Sequence, residues 1–436
     1  MSNYISLSEK DKKEMLSEIG VKNSDELFKD IPSGIKAKPL NLPDGLSQQE
    51  VFDFMESVAN ENKVFDTVLR GAGAYSHYIP SPVRAIVSRS EFVTAYTPYQ
   101  AEMSQGILRS IFEYQTFMCR LTGMEVSNAS HYSGATAAAE AALMFLGRKT
   151  KVLTFDNVNP DTLAVMKTYI EARGFSLEVL SSKDGLVDTD ALEKAADDTV
   201  ACVYFAQPNY FGLIEDADSV AAFCKSKGVK SIGGYNPTAL SLLKTPAESG
   251  VDVATGEAQP LGMSLSFGGP YLGFITCMRS DMRKLTGRIV GETVDRDGNV
   301  CYVLTLQARE QHIRRERASS NICSNQAHCA LTAAVYLATL GKKGFTEVGE
   351  ACLSNAHYLA EQLDNVGLKR KYKGEFFHEF VTECYGKARE IEKSLAKEGI
   401  LSGLCLSDDE MLWCATETAD VKALDRAVKL AGEAIK

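Results

Sequence analysis

The sequence has no apolar run that approaches the roughly 20 residues needed to span a membrane. Its N-terminal stretch also lacks the apolar segment of a signal peptide. The eleven cysteines are scattered singly with no C-x-x-C pair, and the six histidines have no metal-ligand spacing. We therefore expect a cytoplasmic protein with free thiols, no membrane contact and no metal site.

Positive charge is also scarce. The 436 residues include 47 Lys and Arg against 57 Asp and Glu, which gives a formal net charge of −10. Nucleic acids and anionic membranes bind basic surfaces, so neither is an expected partner. Hydrophobic residues make up 45% and charged residues 24%, as in ordinary globular proteins, and this length predicts one or two domains with a sizeable core.

A third absence is local, because no lysine occurs between Lys244 and Lys284. This interval contains the stretch DVATGEAQPLGMSLSFGGPYLG, residues 252–273. Two apolar segments flank Gly268-Gly269-Pro270, where the glycines permit unusual backbone angles and the proline stiffens the exit. On its own the pattern is typical of a tight turn between two buried strands.

Apolar strands alternate with amphipathic helices between residues 151 and 233. This pattern predicts an α/β domain with a mostly parallel sheet covered by helices on both faces. In such sheets ligands bind at the carboxyl ends of the strands, and those ends carry polar residues here, at 207–210 and 234–237. The predicted strands are 151–155, 176–180, 199–206 and 229–233, and the predicted helices between them are 160–172, 189–196 and 218–226.

Residues 71–106 are unusually rich in polar and aromatic side chains, and their second half has no clean helical or strand period. One interpretation is a long surface loop. Loops of this length in compact domains are more often functional or at an interface, so the segment is a candidate for either role.

Two further stretches are candidates for anion binding. Small residues from Ser133 to Thr136 open an alanine-rich helix, whose free N–H groups form a natural phosphate cup. The alternative is close packing of that helix on a sheet. Arg309, Arg314 and Arg315 belong to a basic cluster in an acidic protein. The cluster is either a solvated helix face paired with neighbouring glutamates or a site for a carboxylate, a phosphate or an acidic partner surface.

The two ends of the chain flank this predicted domain. Capping-box patterns at Ser8 and Ser47 predict small N-terminal helices, an arm too small to bury its own core and expected to pack on a neighbouring domain or subunit. An apolar helix is predicted over 324–340, and the remainder alternates helices with short strands and has no titratable cluster of its own. We therefore divide the chain into an N-terminal helical arm (1–70), a large domain (71–322) and a small C-terminal α/β domain (323–436).

Several longer motifs occur in order along nearly the whole chain. The most specific are AYTPYQ-x-E-x-SQG and LQAREQ-x-IRR, and the others are LFKDIP, GAGAYSHYIP, FEYQT, YSGATAAAEAAL, FGGPYLGF and ATE. Together they resemble the P-protein family of the glycine cleavage system, and in particular the α chain of its split form. The resemblance implies the fold-type I fold of pyridoxal-phosphate-dependent transferases. It also implies an α₂β₂ assembly in which the related β chain, subunit 2, carries the Schiff-base lysine.

The implied activity is that of glycine dehydrogenase (aminomethyl-transferring), active only as the complex with β. Glycine is decarboxylated, CO₂ is released, and the aminomethyl group passes to the lipoyl arm of the H-protein. Pyridoxal phosphate is then bound covalently by β, because this chain has no lysine before Gly268. Asn236 stands where a carboxylate for the pyridinium nitrogen is expected.

No catalytic residue is therefore expected on this chain alone. The family's motif positions imply a contribution to a site or interface shared with β. The implied active-site or interface candidates are Tyr96, Thr97, Tyr99, Gln100, Glu102 and Ser104, and the possible anion or partner contacts are Ser133, Thr136, Arg309, Arg314 and Arg315.

Two other functions compete with this one. The chain would act as a non-catalytic pseudoenzyme scaffold that regulates β without contacting the site, or as an autonomous pyridoxal-phosphate aminotransferase. The missing lysine argues against the second of these.

Overall fold

The computed structural model describes residues 7–37, 41–94, 97–323 and 326–436. The chain forms two compact units, residues 1–64 and residues 65–436. None of the described helices is long and apolar enough to cross a membrane. The division into three domains at residues 70 and 322 stays a prediction.

The N-terminal unit consists of short helices, α1 (Glu9–Ile19), a 3₁₀ turn (Ser24–Phe28) and α2 (Gln48–Ala59). Ser8 and Ser47 form the predicted capping boxes, each exchanging hydrogen bonds with the residue three positions later. No described residue of this unit is buried, and α2 leaves large apolar side chains in contact with solvent. Within residues 7–37 and 41–64, therefore, the apolar faces of the helices find no core.

The second unit contains a seven-stranded sheet and smaller sheets. Its strands are β1 (Thr67–Val68), β2 (Val126–Ser127), β3 (Lys151–Phe155), β4 (Ser176–Leu180), β5 (Val200–Gln207), β6 (Lys230–Tyr235), β7 (Val253–Glu257), β8 (Gly273–Cys277), β9 (Ile289–Val294), β10 (Val300–Thr305), β11 (Glu379–Glu383), β12 (Ile400–Leu401), β13 (Leu404–Cys405) and β14 (Glu410–Cys414).

Helices cover both faces of the large sheet and build the C-terminal part. They are α3 (Ser81–Val87), α4 (Ser90–Val93), α5 (Gln105–Thr122), α6 (Gly134–Leu143), α7 (Pro160–Glu171), α8 (Thr189–Ala195), α9 (Ala217–Lys227), α10 (Gln311–Arg314), α11 (Ala327–Asn365), α12 (Ala388–Lys397) and α13 (Val421–Ala434).

The large sheet has the strand order β2-β8-β7-β6-β5-β3-β4. Strands β4, β3, β5, β6 and β7 are parallel, whereas β8 runs antiparallel to β7 and β2 antiparallel to β8. These strands are apolar throughout because neighbouring residues face opposite sides of the sheet and helices cover both sides. In β5, Cys202 packs toward α6 and α7, whereas Val203 packs toward α8 and α9. The predicted mostly parallel α/β sheet is confirmed.

Residues 81–93 differ from the expected loop, because they form α3 and α4. Pro82 lies in the first turn of α3, where proline is tolerated, and Val83 and Val87 bury the same helix face.

Helix α11 also runs far beyond the predicted end at Leu340. Gly341, the residue after the predicted end, nevertheless has non-helical backbone angles (φ 62°, ψ −176°). The helix is therefore kinked there into two helical segments.

The C-terminal part packs the antiparallel strands β11, β14 and β13 against α11, α12 and α13 around Trp413. The indole of Trp413 is fully buried and donates a hydrogen bond to the Thr382 hydroxyl at 2.9 Å. Strand β1 pairs in parallel with β12, which ties residues 67–68 to this part of the unit. This arrangement brings β11 close to the loop that follows β1.

Candidate functional site

A cavity of about 400 Å³ lies where the carboxyl ends of β5, β6 and β7 meet. The sequence predicted a ligand site at this edge. Loop 71–75, the start of α6 and the residues after β3 complete the wall of the cavity. The polar and aromatic side chains in this wall are those of Tyr75, Ser133, Asn159, Asp161, Thr162, Tyr204, Tyr235, Asn236, Glu257 and Tyr271.

The start of α6 borders the cavity at the predicted phosphate cup. Ser133 caps the helix, because its hydroxyl accepts from the Thr136 N–H and its own N–H donates to the Thr136 hydroxyl at 3.0 Å. The Gly134 N–H is also occupied, since it donates to the Glu257 carboxylate at 2.9 Å. Three of the four amides at this terminus therefore already bind acceptors from the same chain.

Glu257 lies at the end of β7 and its carboxylate accepts two more backbone N–H groups. The donors are those of Leu272, at 2.8 Å, and Gln259, at 3.0 Å. Burial raises the pKa of this carboxyl group, whereas the backbone donors act in the opposite direction. A single side chain thus joins the ends of β7 and the loop before β8 to the N-terminus of α6.

Asn236 follows β6 and is fully engaged within the chain. Its carbonyl oxygen accepts from the Thr238 N–H at 2.9 Å, so its amide nitrogen faces His378 Nε2 at 3.0 Å. That nitrogen donates, so Nε2 accepts and the ring proton of His378 is assigned to Nδ1. Burial holds the pKa of His378 well below its usual range, which agrees with a neutral imidazole.

Loop 71–75 is held over the cavity by two buried side chains. Gln259 accepts from the Tyr75 N–H at 2.8 Å and donates to the Tyr75 carbonyl at 2.9 Å. Glu379 of β11 accepts from the Ala72 N–H at 2.6 Å and from the Tyr75 hydroxyl at 2.7 Å. The C-terminal part of the chain therefore sets the position of the cavity wall.

The sequence indicated no cluster of titratable residues in the C-terminal part, and this is wrong. Glu379 and His378 are buried beside loop 71–75, and the Glu417 carboxylate bonds to His77 Nδ1 at 2.7 Å and to the Tyr78 N–H at 2.7 Å. Glu379 and Glu417 lie more than 300 positions from the residues that they bond, and His378 lies 142 positions from Asn236, so no local spacing could have indicated them.

The buried carboxyl group of Glu379 predicts a pH-dependent stability. Burial raises its pKa from 4.5 to about 7. Between these values the unfolded chain releases the proton first, so stability falls as pH rises, by about 3 kcal/mol from this group. Glu379→Gln removes the charge, and its amide oxygen can still accept from the Ala72 N–H while its amide nitrogen donates to the Tyr75 hydroxyl oxygen. Urea unfolding at pH 5 and pH 8 should show this loss in the wild type and not in the variant; equal pH profiles would contradict the assignment.

The segment from Thr97 to Ser104 lies at the surface, and it contains five of the six predicted interface candidates. Tyr99, Gln100 and Glu102 are exposed, whereas Thr97 and Ser104 are partly buried. Ser104 precedes α5 as its N-cap residue. The sixth candidate, Tyr96, lies outside the described residues. The roles of all six stay predictions.

Arg288 connects this segment to the arginine-rich motif. Its guanidinium is almost fully buried, lies under the Tyr99 ring at 4.7 Å, and donates to the Tyr99 hydroxyl at 3.1 Å. The buried carboxylate of Glu310 lies 3.8 Å from Arg288 Nε. The other nitrogens, Nε and Nη1, have no hydrogen-bond partner among the described residues. One buried cation therefore lies next to both Tyr99 and Glu310 and connects the two motifs.

The predicted arginine cluster is not a continuous helix face, because 3₁₀ turns flank the single turn α10. Arg309 points inward and donates to the carbonyls of Leu285 and Gly287. Arg314 and Arg315 are exposed, and Arg315 has a positive φ of 56°, an uncommon conformation for a side chain of this size. Of the three candidates Arg309, Arg314 and Arg315, the exposed pair therefore remains available to a partner or an anion.

A sequence profile of the family described as "Glycine cleavage system P-protein" matches residues 2–430. The chain is 45% identical to the probable glycine dehydrogenase (decarboxylating) subunit 1 of Desulfitobacterium hafniense, with 99% of each chain covered. It is 46% identical to the protein of the same name from Desulforamulus reducens, covering 95% of this chain and 96% of the relative. The chain belongs to the glycine cleavage system P-protein family.

Solved structures agree with membership of the P-protein family. A crystal structure of glycine decarboxylase (P-protein) in inhibitor-bound form matches with a TM-score of 0.92 at 36% identity, covering 99% of each chain. An alanine–glyoxylate aminotransferase from Nostoc sp. matches with a TM-score of 0.60 over 95% of this chain and all of that chain. Its 14% identity shows the fold alone. The predicted fold-type I architecture is therefore confirmed.

The residues at the cavity of this P-protein family member do not fit pyridoxal phosphate. No lysine occurs from Thr245 to Arg283 to bind it covalently. Asn236, which has no carboxylate, is bonded to His378 and Thr238. The amide at the start of α6 that a phosphate would use is bonded to Glu257.

Sequence reasoning identified the cup at Ser133 and the amide at Asn236 but missed Arg288, Glu257 and Gln259. Glu257 had one usable signal: it ends a strand at the edge where ligands bind. Arg288 had no usable signal in the sequence, because a single arginine next to a glycine is typical of any surface loop.

Proposed function

We propose that the chain is the subunit of glycine dehydrogenase (decarboxylating) that does not bind the cofactor, acting with a related β chain as an α₂β₂ assembly. The observation that carries the proposal is the absence of a lysine between Thr245 and Arg283 in a chain with the complete fold. Its P-protein relatives are named subunit 1, which supports a second subunit. All eleven cysteines are free thiols, which supports a reducing, cytoplasmic location.

In the complex, we propose, glycine is decarboxylated and the aminomethyl group passes to the lipoyl arm of the H-protein. Pyridoxal phosphate, bound by the β chain, supplies the electron sink for this chemistry. The present chain contributes a surface that completes the site. Exposed Tyr99, Gln100 and Glu102 belong to one motif, and exposed Arg314 and Arg315 belong to another. Arg288 contacts both motifs, through Tyr99 and Glu310.

Each of these groups has a chemical role that fits a shared site. Tyr99 and Gln100 offer hydrogen bonds to a substrate or to the lipoyl arm, and Glu102 offers a carboxylate. Arg314 and Arg315 suit a carboxylate, a phosphate or an acidic surface of the partner. Burial of Arg288 fixes the Tyr99 hydroxyl in place before a partner arrives, which lowers the cost of ordering it on binding.

The exposed N-terminal unit supports an extensive interface. Residues 7–37 and 41–64 bury no side chain, yet Phe52, Phe54 and Met55 lie on α2 with most of their surface in solvent. Contiguous apolar surface of this kind marks a binding partner. Interfaces of permanent complexes bury more than about 2,000 Å², a size that such an arm helps to reach.

The second candidate function is a scaffold that regulates β without contacting the reacting groups. The hydrogen bonds of Asn236 and Glu257 inside the cavity are equally compatible with both functions. These bonds concern only the cofactor site of this chain, which neither function uses. The two functions differ in what the surface around Tyr99 does. A scaffold would tolerate its polar substitutions without loss of rate.

Purification of the chain alone and with a candidate β chain tests the proposal. Alone, the chain should form no borohydride-trappable adduct with pyridoxal phosphate on a specific lysine, because residues 245–283 contain no lysine. With β, the two chains should co-elute as one assembly that carries the cofactor on β and releases CO₂ from glycine. A specific adduct on the isolated chain, or a stable monomer that ignores β in light scattering, would contradict it.

A further inference from the structure

The Glu257 carboxylate occupies an environment built for an anion. Its two oxygens accept three backbone N–H groups, from Gly134 at 2.9 Å, Leu272 at 2.8 Å and Gln259 at 3.0 Å. One of these donors is at the N-terminus of α6, where the helix dipole favours negative charge. Converging amides at a helix start are the ordinary protein contacts of a phosphate group.

No room is left at this point for a second anion. A Cβ placed on Gly134 would lie 2.8 Å from the backbone nitrogen of Glu257 and 2.9 Å from its Cβ, so α6 begins in direct contact with the end of β7. The neighbouring cap occupies two more amides of the terminus, because Ser133 and Thr136 bond to each other. A phosphate would have to displace the carboxylate and would meet its negative charge.

We propose that Glu257 is an internal substitute for a cofactor phosphate, which excludes phosphorylated cofactors from this chain. The inference deepens the proposed function and rests on it, since it explains how cofactor loading is confined to the β chain. The carboxylate also supplies the order that a bound phosphate would supply. It fastens Leu272, at the far end of loop 258–272, to the start of α6.

Titration of the full-length chain with inorganic phosphate tests this assignment. Glu257→Ala removes the carboxylate and leaves the three amides without an acceptor. Asp161→Ala is the matched control, because Asp161 is an exposed acid at the same cavity and belongs to α7 rather than to β7 or α6. We expect phosphate to bind Glu257→Ala at least tenfold more tightly than the wild type or Asp161→Ala. The measurements are calorimetry and the rise of Tm with phosphate against chloride of equal ionic strength.

Pyridoxal phosphate provides the second probe. It should quench the protein fluorescence of Glu257→Ala without forming a borohydride-stable adduct, and it should leave the wild type unchanged. If Glu257→Ala does not fold in chloride, refolding in phosphate replaces the titration, and recovery of the native circular dichroism supports the assignment.

Equal phosphate affinity in all three proteins, or no rescue of an unfolded Glu257→Ala by phosphate, would overturn the assignment. Neither result concerns assembly, because co-elution with the β chain is measured separately. The proposed function therefore stands or falls independently.

Discussion

Replacing Arg288 with methionine is expected to lower the free energy of unfolding by about 3–5 kcal/mol, because it leaves a buried carboxylate without its cation. Arg288 and Glu310 expose only 3% and 5% of their side chains, and Arg288 Nε lies 3.8 Å from a Glu310 oxygen. The same change removes the hydrogen bond to Tyr99 and the cation over its ring. Urea unfolding of the isolated chain measures the effect.

A second substitution separates the lost cation from lost packing. Adding Glu310→Met to Arg288→Met should recover more than half of the loss, since an apolar pair of similar volume replaces a buried ion pair at little cost. Arg109→Met is the control, because its partner Glu113 and the arginine itself are largely exposed, and it should cost less than about 1 kcal/mol. If the double variant is no more stable than Arg288→Met, the carboxylate does not depend on Arg288.

The central sheet was readable from the sequence because its signals are local. Strands β3 and β4 match the predicted bounds, and β5 and β6 differ from them by one or two residues. Buried parallel strands leave continuous apolar runs, and the helices between them carry their own caps, such as Asn159 before α7. Helices α3 and α4 escaped prediction because each is too short to show a period.

The candidate site was only partly readable, because its geometry depends on distant pairs. The cup at Ser133 could be recognised as a helix start, but Glu257, which binds its Gly134 N–H, is 123 residues from Gly134. Tyr75 and Glu379 are separated by 304 residues in the sequence, and the pairing of β1 with β12 brings their segments together in the fold. Contacts between segments this far apart leave no periodic pattern in the sequence. A site that is built from such contacts is therefore visible only in the structure.

These contacts indicate a division of labour within the chain. At the cavity on the sheet edge, side chains of this chain bind one another's backbone. Glu257 binds the start of α6, and Glu379 and Gln259 bind loop 71–75. The exposed polar residues of the two most specific family motifs lie elsewhere, in the segment around Tyr99 and in the turn at Arg315. Any contribution of this chain to glycine chemistry should therefore come from that outer surface.

If Tyr99 and Glu102 belong to the proposed shared site, Tyr99→Phe and Glu102→Gln should each lower the rate of glycine decarboxylation by the complex on the order of 100-fold, the effect of losing one polar contact to a reacting group. Both side chains are exposed in the isolated chain, so neither change should abolish folding. Tyr99→Phe keeps the ring over Arg288 but loses the hydrogen bond from Arg288 Nη2, so it should lower the free energy of unfolding by about 1.5–3 kcal/mol. Tyr358→Phe is the matched control: it removes an exposed hydroxyl, bonded to Asp425 at 2.6 Å, from a distant helix. It should leave the rate unchanged.

Separate measurements tell the possible roles of this surface apart. If Tyr99 and Glu102 contact the reacting groups, exchange of CO₂ with the glycine carboxyl group falls together with aminomethyl transfer. If they guide the lipoyl arm, exchange driven by free lipoate is retained while transfer to the lipoylated H-protein is lost, since only the tethered arm needs a path. Co-elution with β should persist in either case, because one hydroxyl or one charge is a small part of an interface above about 2,000 Å². Wild-type rates for both reactions in both variants would remove the surface around Tyr99 from the site and favour the scaffold function.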